Sequence, residues 1–110
     1  MHHRSSLRAQ ADVPVTVYAD GYAFEGRTLD LSTRGMRFTA NPGLVYHAAR
    51  PFFVVKLAFA TDAPPATALA RTAWWNEREA AFYFISMGET DRLSVAEKMD
   101  DSVRHGLALA

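Results

Sequence analysis

Two short patterns combine side chains that can bind anions and nucleobases. Arg4 and Arg8 are four residues apart near the start of the chain, and Asp30, Ser32 and Gly35 follow within a second short stretch. Residues at positions i and i+4 share one side whether the segment is a helical turn or extended, so the two arginines can act together. A guanidinium can donate two parallel hydrogen bonds to a phosphate or to the O6 and N7 atoms of guanine.

The second pattern predicts a polar patch beside a chain reversal. If Leu29 and Leu31 face a core, the period of two places Asp30 and Ser32 on the outer face, about 7 Å apart. Gly35 permits the tight reversal that follows. A carboxylate complements the arginines, because it can accept hydrogen bonds from N1 and N2 of guanine. The two patterns together suit a ligand that contains both guanine and phosphate groups.

Arg37 is a further candidate for ligand binding. After the reversal, Met36 and Phe38 take the inward positions, so Arg37 shares the outer face with the carboxylate and the hydroxyl. The alternative is that Arg37 is an ordinary outward strand residue. Alternatives also exist for the two patterns, since Arg4 and Arg8 could be solvated charges near a chain end. The second pattern could be a local side-chain turn without any ligand.

Hydrophobic alternation with a period of two predicts six short strands. They cover residues 13–18, 24–31, 36–39, 52–59, 67–75 and 80–87. Six antiparallel strands of this length leave exposed edges unless the sheet closes, so we expect a small barrel. The predicted fold class is all-β with one helix: a six-stranded antiparallel β-barrel plus a C-terminal α-helix.

The hydrophobic period changes beyond Gly88 and predicts that helix over residues 90–107. Leu93, Ala96 and Met99 fall on its apolar face. The predicted organisation is therefore a flexible arginine segment over residues 1–12, followed by one barrel domain over residues 13–110.

The amino-acid composition limits the classes of function that are expected. The 110-residue chain has twelve basic and twelve acidic side chains, which gives no overall field for nucleic acid or membranes, and ten of the basic residues are arginine. Cysteine is absent, and the four histidines share no metal-ligand spacing, so neither a metal nor a cofactor is expected. No membrane-length apolar run, secretory signal or catalytic motif is found. These features predict a cytoplasmic binding protein that is not an enzyme.

The segment Arg4-Ser5-Ser6-Leu7-Arg8, followed by Asp30-Leu31-Ser32-Thr33-Arg34-Gly35, resembles the RxxxR and [DN]xSxxG signature of the PilZ domain family. The resemblance covers almost the whole chain. It implies a six-stranded barrel that binds cyclic di-GMP, with the arginine segment folding over a ligand seated on the DxSxxG face. It also implies that Arg4 and Arg8 bind guanine and phosphate. Asp30 would accept hydrogen bonds from guanine, and Ser32 would donate a hydrogen bond to a phosphate.

Some residues near the end of the barrel bear on the same site. Strand alternation directs one of Trp74 and Trp75 inward and the other outward, and some PilZ relatives have a tryptophan in this strand beside the nucleotide. The spacing to Phe82 favours Trp74 as the residue that corresponds to the tryptophan of these relatives. Many relatives have glycine where this chain has Ala81. The residue before RxxxR, here His3, influences whether one ligand or a stacked pair binds, so stoichiometry stays open.

The function predicted from the sequence is that of a cyclic di-GMP receptor. With 110 residues there is no room for an effector domain, so the receptor is expected to signal through an unidentified partner protein. The alternative is an interaction module of the same fold that has lost nucleotide binding.

Overall fold

In the part of the chain that the structure describes, seven antiparallel strands form one sheet that closes on itself. The structure is a computed structural model that describes residues 9–10, 12–47 and 49–109. The strands are β1 (Ala9–Gln10), β2 (Pro14–Ala19), β3 (Tyr22–Ser32), β4 (Gly35–Thr39), β5 (Phe53–Leu57), β6 (Ala66–Trp75) and β7 (Glu79–Met87). Their order is β1-β3-β2-β5-β6-β7-β4, and β3 also pairs with β4. The six longer strands therefore form a closed barrel, which confirms the predicted fold.

The two-residue strand β1 is an addition that alternation did not predict. It pairs Ala9 with Leu31 and Gln10 with Asp30. β4 pairs with the same residues of β3 along one edge, so β1 lies against the opposite edge. β2 pairs along that opposite edge too, with the earlier part of β3. The stretch of β3 around Asp30 thus has a neighbouring strand on each side.

The barrel interior is filled by the inward residues of each strand. Val15 and Val17 are buried, as the alternation predicts. Phe82 lies at the centre of an aromatic cluster, with its ring stacked on that of Phe53 at 5.1 Å and edge-on to that of Phe38 at 4.9 Å. Side chains of this size dominate the burial energy of a small core.

A bulge in β3 changes which residues face this core. The register between β3 and β4 shifts between Thr28 and Asp30, and Thr28 is buried whereas Leu29 is only half-buried and is not part of the core cluster. The prediction that Leu29 faces the core is therefore wrong, whereas Leu31 is fully buried as expected. Thr28 tolerates the inward position because its Oγ1 accepts a hydrogen bond from the backbone N of Val13 at 2.9 Å.

Two helical elements pack against the barrel. A 3₁₀ helix, Pro42–His47, contributes Leu44 to the core. The C-terminal helix α1, Glu89–Leu109, contacts β1, β3 and β6. The predicted apolar face of α1 is partly wrong, because Leu93 is 62% exposed and Val95 is buried instead. None of the described helices combines the length and apolarity of a membrane span.

Candidate functional site

The turn between β3 and β4 is organised by the hydroxyl group of Ser32. Its Oγ accepts hydrogen bonds from the backbone N of Arg34 at 3.1 Å and of Gly35 at 3.2 Å, and it donates to the carbonyl O of Gly35 at 3.4 Å. Such bonds to residues two and three ahead build a local serine turn. Ser32 is 1% exposed, so its hydroxyl fixes the shape of the turn from within.

Gly35 lies where β4 passes close to β7. A Cβ at this position would overlap the carbonyl O of Phe82, which belongs to the backbone and cannot rotate away. The sequence predicts that Gly35 is needed for the chain reversal, but positive φ angles among the described residues occur only at Asp20 and Gly21. The close approach of two strands, and not the turn itself, therefore requires glycine here.

A guanidinium on β4 joins two carboxylates on the outer face of the barrel. Arg37 donates from Nε to Oδ2 of Asp30 at 3.0 Å and from Nη1 to Oε1 of Glu79 at 2.7 Å. The hydrogen bonds to Asp30 and then to Glu79 raise the pKa of Arg37 above its usual value. The arginine is therefore held in its charged form and fixes the orientation of Asp30.

Asp30 lies at one end of a row of residues that crosses four strands. Asp30 of β3 pairs with Arg37 of β4, Arg37 pairs with Ala81 of β7, and Ala81 pairs with Trp74 of β6. Neighbouring strands are about 4.7–4.9 Å apart, so the row extends over roughly 14 Å. Residues paired in this way project to the same face of a sheet. The aspartate and the tryptophan thus lie on one continuous outer surface.

The two tryptophans point in opposite directions, as strand alternation predicts. Trp75 packs edge-on against Phe53 at 6.5 Å and against Phe82 at 6.2 Å, whereas Trp74 is 43% exposed. The register of β6 with β7 shifts between Thr72 and Trp74, and this shift sets which tryptophan faces outward.

The predicted ligand residues Arg4 and Arg8 lie outside the described residues. Ala9, the next residue in the chain, pairs with Leu31, which lies between Asp30 and Ser32 of the second pattern. Asp30 and Arg37 share the outer face as expected and are directly bonded there. The expectation that Ser32 also lies on this face is wrong, because Ser32 is buried in the turn that its hydroxyl organises.

Tyr83 and Arg71 belong to the outer surface of the barrel but to neither sequence motif. Gly35 pairs with Tyr83 and Tyr83 pairs with Arg71, so both belong to the row next to that of Asp30. The inward Phe82 could have indicated that Tyr83 points outward. The pairing that brings Arg71 beside it depends on contacts between distant strands and is not visible in local patterns.

A groove elsewhere on the barrel has different chemistry. It has a volume of about 530 Å³ and is mostly apolar. It is lined by Ala40, Asn41, Pro42, Val45, Tyr46, Trp75, Asn76 and Glu77. Glu77 is the one charged residue in this lining, so the groove is poorly suited to an anionic ligand. Within the part of the chain that the structure describes, no three acidic or histidine side chains converge as a metal site.

A family model described as PilZ domain matches residues 2–99 of the chain. No curated protein sequence matches it. Among solved structures, the chain is similar to MotI (DgrA), the inhibitor of motility of Bacillus subtilis, with a TM-score of 0.76 and 12% identity. This alignment covers 98% of the chain but only 53% of MotI, so the chain spans about half the length of that protein.

Two further solved structures resemble the chain over most of both lengths. The PilZ domain of YcgR from Escherichia coli, solved with c-di-GMP, has a TM-score of 0.63 and 15% identity, with coverage of 96% of this chain and 95% of that one. The PilZ domain of CeSA from a cellulose-synthesizing bacterium has a TM-score of 0.61 and 21% identity, with coverage of 87% and 97%. At these identities, the similarity shows a shared fold.

Proposed function

The chain belongs to the PilZ domain family, and from this premise we propose that it is a receptor for cyclic di-GMP. The observation that carries the proposal is the pairing of β1 with β3. Ala9, the residue after Arg8, lies opposite Leu31, between Asp30 and Ser32. The chain that follows the arginine motif thus enters the barrel beside the second motif, which supports the binding of one ligand by both.

Guanine recognition is assigned to Arg4, Arg8 and Asp30. The arginines donate to O6 and N7 of guanine and to the phosphates, and the carboxylate of Asp30 accepts from N1 and N2 on the other edge of the base. Arg37 holds that carboxylate in place through the 3.0 Å bond. Its role in the site is therefore to position Asp30, with ligand contact as a further role.

The phosphate is assigned to the turn between β3 and β4. The hydroxyl of Ser32 is assigned as a donor to a phosphate oxygen, and the two backbone bonds that its Oγ accepts keep the turn in shape. Gly35 keeps β4 close to β7 beneath this turn.

The outward tryptophan completes the proposed face. Trp74 is exposed and lies in the same row as Asp30, where its ring can stack on a base. Support for a nucleotide on this fold comes from the YcgR domain, whose structure contains c-di-GMP.

Signalling is proposed to occur through a partner protein. We propose that the arginine segment that precedes β1 closes over the bound nucleotide, so that the surface next to β1 differs between the free and bound receptor. A partner protein that contacts this surface would bind differently to the free and the bound receptor. The mechanism requires no catalytic step and no metal or cofactor.

Calorimetric titration with cyclic di-GMP and cyclic di-AMP tests the proposed function. We expect cyclic di-GMP to bind at least tenfold more tightly, because adenine replaces the O6 acceptor with an amino donor that opposes an arginine. Equal affinity for the two ligands would contradict the assignment of the guanine edge. Absence of binding to either would favour the alternative of an interaction module that has lost nucleotide binding.

A further inference from the structure

A second row of outward residues runs beside the row that contains Asp30. Gly35, Tyr83 and Arg71 are paired in sequence across β4, β7 and β6. Tyr83 is 56% exposed, and Arg71 is also exposed. Within the described part of the chain, Arg71 forms no hydrogen bond or ion pair, so its guanidinium is available to a ligand.

The two rows together form an aromatic and cationic platform. Tyr83 lies directly opposite Arg71, and Trp74 lies directly opposite Ala81, two residues before Tyr83 on β7. Trp74 and Tyr83 are therefore diagonal neighbours, with Cα atoms about 7–8 Å apart, which is within reach of aromatic side chains. Ala81 is small and only 4% exposed, so the surface here is formed by the two rings and the guanidinium.

The platform differs in charge from the neighbouring sheet surface. Arg37 is bonded to both Asp30 and Glu79, so its charge is compensated by two carboxylates. Arg71 has no acidic partner among the described residues and adds positive potential to an otherwise uncharged pair of rings. Aromatic rings with an uncompensated arginine suit a planar base joined to a phosphodiester.

We infer that Tyr83 and Arg71, together with Trp74, bind the half of the cyclic dinucleotide that Asp30 does not hold. Tyr83 and Trp74 stack on the second guanine, and Arg71 donates to the adjacent phosphodiester or to the edge of that base. The inference rests on the proposed function, since the ligand must already be anchored at Asp30. It extends the site from the signature residues on β3 and β4 to β6 and β7.

The experiment compares Arg71→Ala and Tyr83→Ala with two matched controls in calorimetric titrations with cyclic di-GMP. The controls are Arg78→Ala, an exposed arginine in the turn between β6 and β7, and Tyr46→Ala, which is 87% exposed on the 3₁₀ helix. We expect each platform variant to bind at least fivefold more weakly and each control to stay within about twofold of the wild type. Tyr83→Phe keeps the ring and should retain affinity.

The outcomes separate this inference from the proposed function. If the wild-type protein binds no cyclic di-GMP, the proposed function fails and the platform assignment fails with it. If the wild type binds and both alanine variants bind equally well, only the platform is overturned. If Arg71→Ala removes a second bound ligand without weakening the first, the assignment to the same ligand molecule is wrong. Circular dichroism checks that the variants are folded.

Discussion

Among the described residues, two regions of the molecule each contain a network of three acidic and basic side chains, but the composition of the two networks is opposite. In the sheet network, Arg37 on β4 lies between the carboxylates of Asp30 and Glu79. Its members lie on three strands whose register is set by backbone hydrogen bonds, and none has a side chain more than 36% exposed. Two acids surround one base.

In the loop network, one acid lies between two basic groups. Asp20, in the turn between β2 and β3, contacts Nδ1 of His47 at 2.5 Å and Nη1 of Arg50 at 2.9 Å. The rings of Tyr22 and Phe24 pack beside His47 at 5.8 and 5.3 Å. The members lie on turns and on the 3₁₀ helix, and Arg50 is 55% exposed.

The difference indicates which region suits an arginine segment and a guanine ligand. The described members of the sheet network are two carboxylates and one guanidinium, a composition that cations such as Arg4 and Arg8 complement, and the carboxylate of Asp30 is oriented by paired strands. The loop network has two basic groups to one acid, and its members lie outside the strands. The sheet network therefore belongs to the proposed site, and the loop network has the role of holding the 3₁₀ helix to the β2–β3 turn.

The largest effect on stability is expected from a side chain added at Gly35, where β4 and β7 leave no space for a Cβ. A Cβ at Gly35 would overlap the backbone of β7, whereas a Cβ at Gly43 in the 3₁₀ helix would meet only side-chain atoms of Phe24 and Asn41, at 3.1 and 3.2 Å. We expect Gly35→Ala to lower the free energy of unfolding by about 2–3 kcal/mol and Gly43→Ala by less than about 1 kcal/mol. Urea denaturation measures both. Equal losses would show that the sheet region is not the stricter of the two.

The largest effect on binding is expected from Arg8→Ala. Loss of one charged bidentate donor should weaken cyclic di-GMP binding by about 1–3 kcal/mol, which is about tenfold or more, while stability changes by less than about 0.5 kcal/mol. Arg8→Lys keeps the charge but loses the planar fork, so binding should remain clearly weaker. Arg50→Ala in the loop network is the control and should bind like the wild type. Unchanged affinity in both Arg8 variants would remove the arginine segment from the site.

A smaller effect is expected when the arginine of each network is replaced by glutamine, and it compares the two networks directly. Arg37→Gln leaves Asp30 and Glu79 without their shared cation, so we expect about 1 kcal/mol lower stability and about threefold weaker ligand binding through misplacement of Asp30. Arg50→Gln removes an exposed member of the loop network and should change stability by less than about 0.5 kcal/mol, with no change in affinity. Thermal unfolding and calorimetry provide the two measurements. Equivalent behaviour of the two variants would contradict the different roles assigned to the networks.

Local patterns in the sequence predicted the six longer strands and the helix, and they identified the two signature motifs. Alternation gave the inward direction of Val15 and Val17, because successive side chains in any strand point to opposite faces. It also identified Asp30 and Arg37 as outward neighbours across one turn. These features depend on residues close together in the chain, which is why sequence alone could predict them.

The tertiary structure decided features that depend on contacts between distant segments. The bulge in β3 replaced Leu29 by Thr28 in the core, and the shift in β6 selected Trp74 as the outward tryptophan. Glu79 reaches Arg37 across 42 residues, and Gly35 is required by its approach to β7. Bulges and strand register are set by pairing across the whole barrel. The free energy of these many contacts outweighs the local hydrophobic alternation with a period of two.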